Sequence, residues 1–316
     1  MSFPLLRLPC LALEVIIKFC DHEEILFLVQ TSQRARRLIS RHTKSHSIEI
    51  TVTNNNNNGS YVGIFHGDRE FFRIYIKTQG ENFHEFWRFK TLVPVLPDYQ
   101  KNLLFSRWTQ IEQAFQEILD FLNEIFRIKE VSFKNNVKFS CRLVPIAEHV
   151  VSKNLKIGSV DWQNSVGYEP MAERILMVSK GATNFKLEKF NFFSFRFYHF
   201  HLFKMDRFEI EHAEWMTVDQ VIALWNCKQI RLGDVWFDSK DINTILWEYI
   251  EDPGELLELR LTSRNDIRIE DVVTGLNAVE VHEGNHWKGR KFRITGQIRF
   301  SVTVVWGDNI VITREP

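Results

Sequence analysis

Two histidines alternate with bulky residues in Tyr198-His199-Phe200-His201-Leu202. On a strand such a pair shares one face and could offer two imidazoles to one metal ion. No carboxylate or cysteine sits close enough in sequence to complete the set, so the segment reads as a half-exposed strand. Asp161, Glu169 and Glu173, near Trp162, could in principle divide acid and base roles. They read instead as scattered polar residues of a loop. Cys10, Cys20, Cys141 and Cys227 contain no C-x-x-C pair, which argues against a zinc knuckle or redox pair and for reduced thiols. None has a basic motif beside it that would activate it as a nucleophile. A Gly-rich phosphate loop, H-E-x-x-H and G-x-S-x-G are all missing from the sequence. The expectation is a non-catalytic chain with no cofactor and no metal. A hydrolase is the third-ranked alternative, to be revived by turnover from the 46–316 fragment.

Charge narrows the partners. Lys plus Arg is 40 and Asp plus Glu is 40, so no basic surface for a nucleic acid backbone is expected. The start, MSFPLLRLPCLALEVIIKFC, has one cation and then an apolar run, but Glu14 and Lys18 interrupt it. It is not read as a leader. No stretch reaches the roughly 18 apolar residues of a membrane span. A soluble protein of the cytoplasm, the nucleus or both is expected, with no membrane partner.

The elements follow from periodicity. After Pro9, Leu13, Ile16, Ile17 and Cys20 recur at helical spacing. Asp21 and Glu24 form a capping-box variant before Ile25, Leu26, Leu28 and Val29. Thr31 and Ser32 end that second helix or cap a third one, which carries Arg34, Arg36, Arg37, Leu38, Ile39 and Arg41. Alternation at Ile48, Ile50 and Val52 predicts a strand, Asn54–Asn58 with Gly59 a turn, and Tyr61–Phe65 and Phe71–Ile76 two more strands. Residues 79–108 read as irregular, because Pro94 and Pro97 break any helix. Thr109 and Glu112 are expected to cap the helix whose stripe is Ile111, Phe115, Ile118, Phe121, Leu122, Ile125 and Phe126. From residue 127 short strands recur at intervals of roughly 20–30 residues, within the range of solenoid repeats. These are Ile128–Phe133, Leu155–Val160, Phe185–Phe190, Phe208–Ile210, Ile230–Leu232, Leu257–Leu261 and Val279–Val281. Helices are expected after Thr217, after Asp238 or Ser239, and through Ile269–Leu276, with Gln297–Trp306 as a closing strand. The predicted fold class is α+β / α/β and repeat-like.

The segment Pro4-Leu5-Leu6-Arg7-Leu8-Pro9, then Leu13-Glu14-Val15-Ile16, Glu23-Glu24-Ile25-Leu26 and Ser32-Gln33-Arg34 resembles an F-box. The aromatic residue that many members carry after Ser-x-Arg is replaced by Ala35 and Arg36. Ser239-Lys240-Asp241-Ile242-Asn243, with Ile245-Leu246-Trp247 and Leu256-Leu257-Glu258-Leu259, is similar to the type 2 F-box-associated domain of nematode F-box families. The resemblance implies three regions. Residues 1–45 form an F-box, 46–126 a β-hairpin and helical connecting region, and 127–316 an F-box-associated domain, whose strand spacing makes it irregular and leucine-rich-repeat-like. It also implies a substrate-recognition adaptor of a Skp–cullin–F-box ubiquitin ligase, which binds a Skp-type adaptor, through it cullin, and a protein target of unknown identity. A Skp-bound or free interaction scaffold without a ligase role is the alternative.

Physical chemistry points the same way. A bundle of about 40 residues has little core, yet this one carries apolar residues on more than one face. The expected adaptor-facing set is Leu6, Leu8, Pro9, Leu13, Val15, Ile16, Phe19 and Leu26; the competing reading docks the helices on the chain's own later domain. The expected target face comprises Glu209, Glu211, Gln229, Arg231, Glu258, Arg260, Glu280 and His282, which mixes charge signs as a protein ligand would require. A merely solvated sheet face is the alternative.

Overall fold

Helices α1 (Cys10–Phe19), α2 (His22–Gln30) and α3 (Gln33–Ile39) form where the apolar periodicity places them. The computed structural model describes residues 8–55, 59–80, 83–137, 140–163, 169–190, 195–281, 289–295, 299–305 and 309–314. Leu6, His282 and most of the Asn54–Asn58 turn lie outside them. Pro9 is the N-cap of α1, where a missing N–H leaves no intrahelical bond unmade. Glu24 accepts the Asp21 N–H at 2.9 Å, and Ser32 Oγ accepts the Ala35 N–H at 3.1 Å. Both satisfy amides that have no intrahelical acceptor.

The described residues divide into two compact units, 1–137 with 142–158, and 138–141 with 159–316. These bounds differ from the three regions expected, because the strand that starts at residue 127 pairs within the first unit.

In the first unit a mixed sheet has the strand order β7-β1-β2-β3-β6-β5-β4. Its strands are β1 (Ser47–Asn54), β2 (Ser60–His66), β3 (Arg69–Lys77), β4 (Glu85–Arg88), β5 (Leu92–Asp98), β6 (Leu103–Arg107) and β7 (Arg127–Asn135). Ile50 sits opposite Ile64 on β2 and Val131 on β7, so the apolar residues of neighbouring strands share one face. Helix α4 (Ile111–Ile125) buries Phe115, Ile118, Leu119, Phe121 and Leu122, and each such side chain contributes about 1.5–3 kcal/mol. Helix α5 (Leu143–Ser152), not anticipated from the sequence, completes this unit. The N-cap of α4 is Gln110, with no side-chain cap bond, so the expected Thr109 cap is corrected. Residues 79–108 are corrected too. They form β4, β5 and β6, with Pro94 and Pro97 inside β5. Proline's fixed φ suits an extended strand as well as it opposes a helix.

In the second unit β8 (Ile157–Trp162, from Ser159 onward in this unit), β9 (Asn184–Lys189), β10 (Arg207–His212), β11 (Gln229–Val235) and β12 (Glu258–Ser263) lie side by side, parallel and in chain order. The register aligns Val160, Phe185, Phe208, Ile230 and Leu259 in one row, and Trp162, Leu187, Ile210, Leu232 and Leu261 in the next. All ten are buried, as the period-two rule requires of a sheet with one covered face. The connections carry α6 (Glu169–Ser179), α7 (Val218–Ile222), α8 (Ser239–Glu251) and α9 (Ile269–Val272). Glu169 and Glu173 therefore lie on a helix, not in a loop. Thr217 and Gln220 cap α7 reciprocally, at 3.4 and 2.9 Å. Asp238 Oδ1 accepts the Lys240 and Asp241 N–H groups at 2.8 and 2.9 Å. Gly233 has no room for a side chain, since a Cβ there would stand 2.1 Å from the Glu211 carbonyl oxygen.

Two expectations change in this unit. His199 is the N-cap of a 3-10 turn, Phe200–Leu202, and His201 lies inside it, so the pair is not on a strand. The sheet does not close with the strand near residue 300. β15 (Arg299–Val305) is followed by β16 (Asn309–Arg314), and β16 pairs antiparallel with β12. β14 (Gly289–Thr295) and β13 (Ala278–Glu280) extend beyond β15.

Candidate functional site

The outward face of α1 is apolar. Leu11, Val15 and Phe19 recur four residues apart and are 77%, 54% and 86% exposed. Four-residue spacing stacks side chains on one face of a helix. Pro9 is exposed beside this stripe, and Leu8 and Ile16 are half-buried at its edge. Leu13 and Leu26 are buried, which corrects two of the expected docking residues. They face the core that holds the helices together, with Ile17, Ile25, Val29 and Ile39. Leu11 was overlooked, although its spacing of four and eight residues from Val15 and Phe19 was readable.

The opposite side of the helices is anchored to the first unit's sheet. The Gln30 side-chain amide donates to the Arg88 carbonyl at 3.3 Å and accepts the Arg88 N–H at 2.8 Å, satisfying an edge-strand residue of β4 as a paired strand would. Arg36 donates to the Arg88 and Phe89 carbonyls at 2.9 and 3.0 Å. Phe27 meets Phe72, Trp87 and Tyr99 at ring separations of 5.2–5.8 Å. The helices therefore do pack on their own chain, through α2 and α3, while the α1 stripe stays uncovered among the described residues.

His22 sits in this junction. Its ring lies 5.1 Å from that of His46 and 4.7 Å from that of His66, with Phe71 and Phe126 also against it. Its Nε2 is buried without a partner. Burial first, then the two neighbouring imidazoles, push its pKa down to about 4, against the pull of Asp21. A depressed histidine stabilises the fold fully above its unfolded value of about 6.5, and that contribution is lost as pH falls toward 4. Solvent reaches part of the ring, so the expected loss is about 1–2 kcal/mol. Urea denaturation of the wild type and His22→Leu across pH 4–7 checks this. The difference between the two curves should grow as pH rises from 4 to 6.5; a constant difference would exclude the histidine as its source.

A second surface lies on the open face of β8–β12. Asp161, Lys186, Glu209, Arg231 and Arg260 stand in one register row, with Glu211 and Glu258 beside it. Lys186 reaches Glu211 at 2.7 Å and Glu209 at 3.5 Å. Glu258 takes Arg260 at 2.5 Å and Arg231 at 3.8 Å. The Lys186–Glu211 pair is exposed on both sides and contributes about 0–1 kcal/mol to stability, whereas Glu209 and Glu258 are half-buried. The expected residues Glu209, Glu211, Gln229, Arg231, Glu258 and Arg260 are brought together here. Glu280 is not, because β13 is separated from β12 by β14, β15 and β16.

The other chemistry is sparse. His212, Glu214 and Asp234 place ligand atoms within 4.8 Å of one another, but Arg264 donates to Glu214 at 2.9 Å and to Asp234 at 3.0 Å. Burial opposes ionisation of Asp234, yet the hydrogen bonds from Arg264 and His212 hold its carboxyl below the ordinary range. The guanidinium thus supplies the positive charge that a cation would bring. Burial raises the Cys20 and Cys141 thiols and pushes Cys227 up to about 11, the opposite of what a nucleophile needs. Cys10 Sγ lies 3.5 Å from His42 Nε2, a neighbour invisible in sequence.

No protein-family profile matches the chain. It is similar to the Skn-1 dependent zygotic transcript 15 protein of Caenorhabditis elegans, 21% identical over 290 residues that cover 87% of this chain and 83% of the relative. No described helix is long and apolar enough to cross a membrane.

Proposed function

We propose that this protein is a substrate-recognition adaptor of a Skp–cullin–F-box ubiquitin ligase. The observation that carries the reading is the uncovered stripe of Leu11, Val15 and Phe19 on a helix whose bundle is otherwise held against its own sheet. Apolar side chains left in solvent in one line favour a partner that buries them. In this reading α1–α3 form the F-box, and the second unit corresponds to a type 2 F-box-associated domain. The parallel strands in chain order support its repeat-like character. The nematode origin of the similar protein accords with the nematode families that the sequence resembles. The chain performs no chemistry. It holds a target near a ubiquitin-loaded enzyme recruited through cullin, so its contribution is proximity.

The test is affinity purification of the full chain with the proteasome blocked, beside a Leu8→Ala/Pro9→Ala variant. A Skp-type adaptor and cullin should co-purify with the wild type and be lost from the variant. Recovery of the Skp-type adaptor without cullin, and with no protein accumulating in the variant, would favour a scaffold instead. No binding of purified Skp-type adaptor by the wild type would end the reading.

The charged face of β9–β12 is the proposed target surface, engaged in the cytoplasm or nucleus. Reversing Arg231 and Arg260 to Glu places two new carboxylates beside Glu209 and Glu258. Captured target protein should fall by about 10-fold or more, since opposing like charges cost several kcal/mol, while Skp binding is unchanged. An unaltered set of captured proteins would discard this surface.

A further inference from the structure

A cavity of about 340 Å3 opens in the first unit between α3, the turn joining β4 to β5, and α4. Four cations line it: Arg36, Arg37, Arg88 and Lys90. Buried Phe89 and Phe121, whose rings stand 5.2 Å apart, line it as well.

Carboxylates also line this cavity, but each is already engaged. Glu117 accepts the Thr91 N–H and hydroxyl, both at 2.9 Å, and the Gln113 amide at 2.8 Å. Asp120 pairs with His149 at 2.9 Å and Lys153 at 3.6 Å. Glu124 pairs with Arg36 at 2.6 Å. Arg37, Arg88 and Lys90 have no acidic partner among the described residues. The lining carries four cations against three carboxylates, a net positive charge in a concave site, which concentrates the field on an entering anion.

Arg36 is held in advance of any ligand. Its guanidinium lies 4.7 Å from the centre of the Phe121 ring, and its two terminal nitrogens hold the Arg88 and Phe89 carbonyls and Glu124. Its Nε is buried with no partner, and a buried N–H left unmade is costly. With Arg36 held by the protein, the Arg37 and Arg88 guanidinium forks and the Lys90 ammonium face the ligand, and they match a doubly charged, multi-oxygen acceptor better than a carboxylate.

We propose that this cavity binds a phosphate ester. The volume exceeds that of a bare phosphate and leaves room for the ester's carbon substituent. The ester could sit on a phosphorylated protein side chain or on a free small molecule; the recognising chemistry is shared. The proposal does not depend on the adaptor reading, because α1 takes no part in the cavity.

The test uses the full chain at fixed ionic strength, titrated calorimetrically with O-phosphoserine, a capped phosphoserine peptide, inorganic phosphate and sulfate. Saturable binding of an ester, tighter than sulfate or inorganic phosphate, is expected. Binding that extends to the peptide assigns the site to phosphorylated proteins; binding of the small ester alone assigns it to free esters. The Arg37→Gln/Arg88→Gln variant should bind at least about 10-fold more weakly, as expected for charge-assisted hydrogen bonds. Lys90→Gln, on an exposed turn, should weaken binding in the same direction and guards against a folding defect. No saturable ester binding, equal binding of sulfate or inorganic phosphate, or binding unaltered in both variants would overturn the proposal.

Discussion

A Val15→Asp/Phe19→Asp variant of the full chain is expected to bind a purified Skp-type adaptor at least about 100-fold more weakly than the wild type. Truncating a central interface anchor typically costs about 2 kcal/mol or more, and a charge in its place adds desolvation. The same variant should melt within about 2 °C of the wild type, because neither side chain belongs to the core. This separation gives the prediction its force. Leu26, seven residues beyond Phe19 and fully buried, should behave in the opposite way. Leu26→Ala should destabilise the fold by about 2–5 kcal/mol and reduce binding only as the folded fraction falls. Surface plasmon resonance for affinity and calorimetry for melting distinguish the two classes. Equal binding by Val15→Asp/Phe19→Asp and wild type would show that the stripe is not the dock.

Much of this was readable in residues alone, and the misses have physical causes. Periodicity located α1–α4 and the strands from β7 to β13, since side-chain spacing reports directly which face is buried. It could not distinguish which of two apolar faces on a short helix meets its own chain. Leu13 and Val15 looked alike, and only tertiary packing separated them. Pro94 and Pro97 were weighed as helix breakers, and the same fixed φ serves β5. Helices α5 and α6 went unnoticed because their apolar residues are interrupted by a proline in the first turn and by Glu173 and Arg174. The row of Glu209, Arg231 and Arg260 was legible as outward-facing alternation, but its continuation through Lys186 and Asp161 depended on register. The cation-lined cavity draws on residues 36, 88 and 121, whose proximity no local pattern encodes.

Phe208→Ala is expected to destabilise the second unit by about 3–5 kcal/mol, the range for removing a buried aromatic ring. Phe208 is fully buried, stacked on Phe185 at 5.3 Å and met edge-on by Phe200 at 5.7 Å and Phe203 at 5.9 Å. The last two come from the loop before β10, so this ring joins the sheet's apolar row to a segment with almost no regular structure of its own. Such a loop is ordered by side-chain burial, not by backbone pairing, and buried Phe195, Phe197, Phe200 and Phe203 answer that need. Phe208→Leu keeps the apolar volume but loses the ring contacts, and should cost less than half as much. Equilibrium urea unfolding measures both. A domain stability of about 5–15 kcal/mol leaves little reserve for the alanine variant, so its folded fraction, its target capture and the order of residues 195–203 should decline together. A Phe208→Ala protein that stays within about 1 kcal/mol of wild type would mean that β10 is held by its strand neighbours alone.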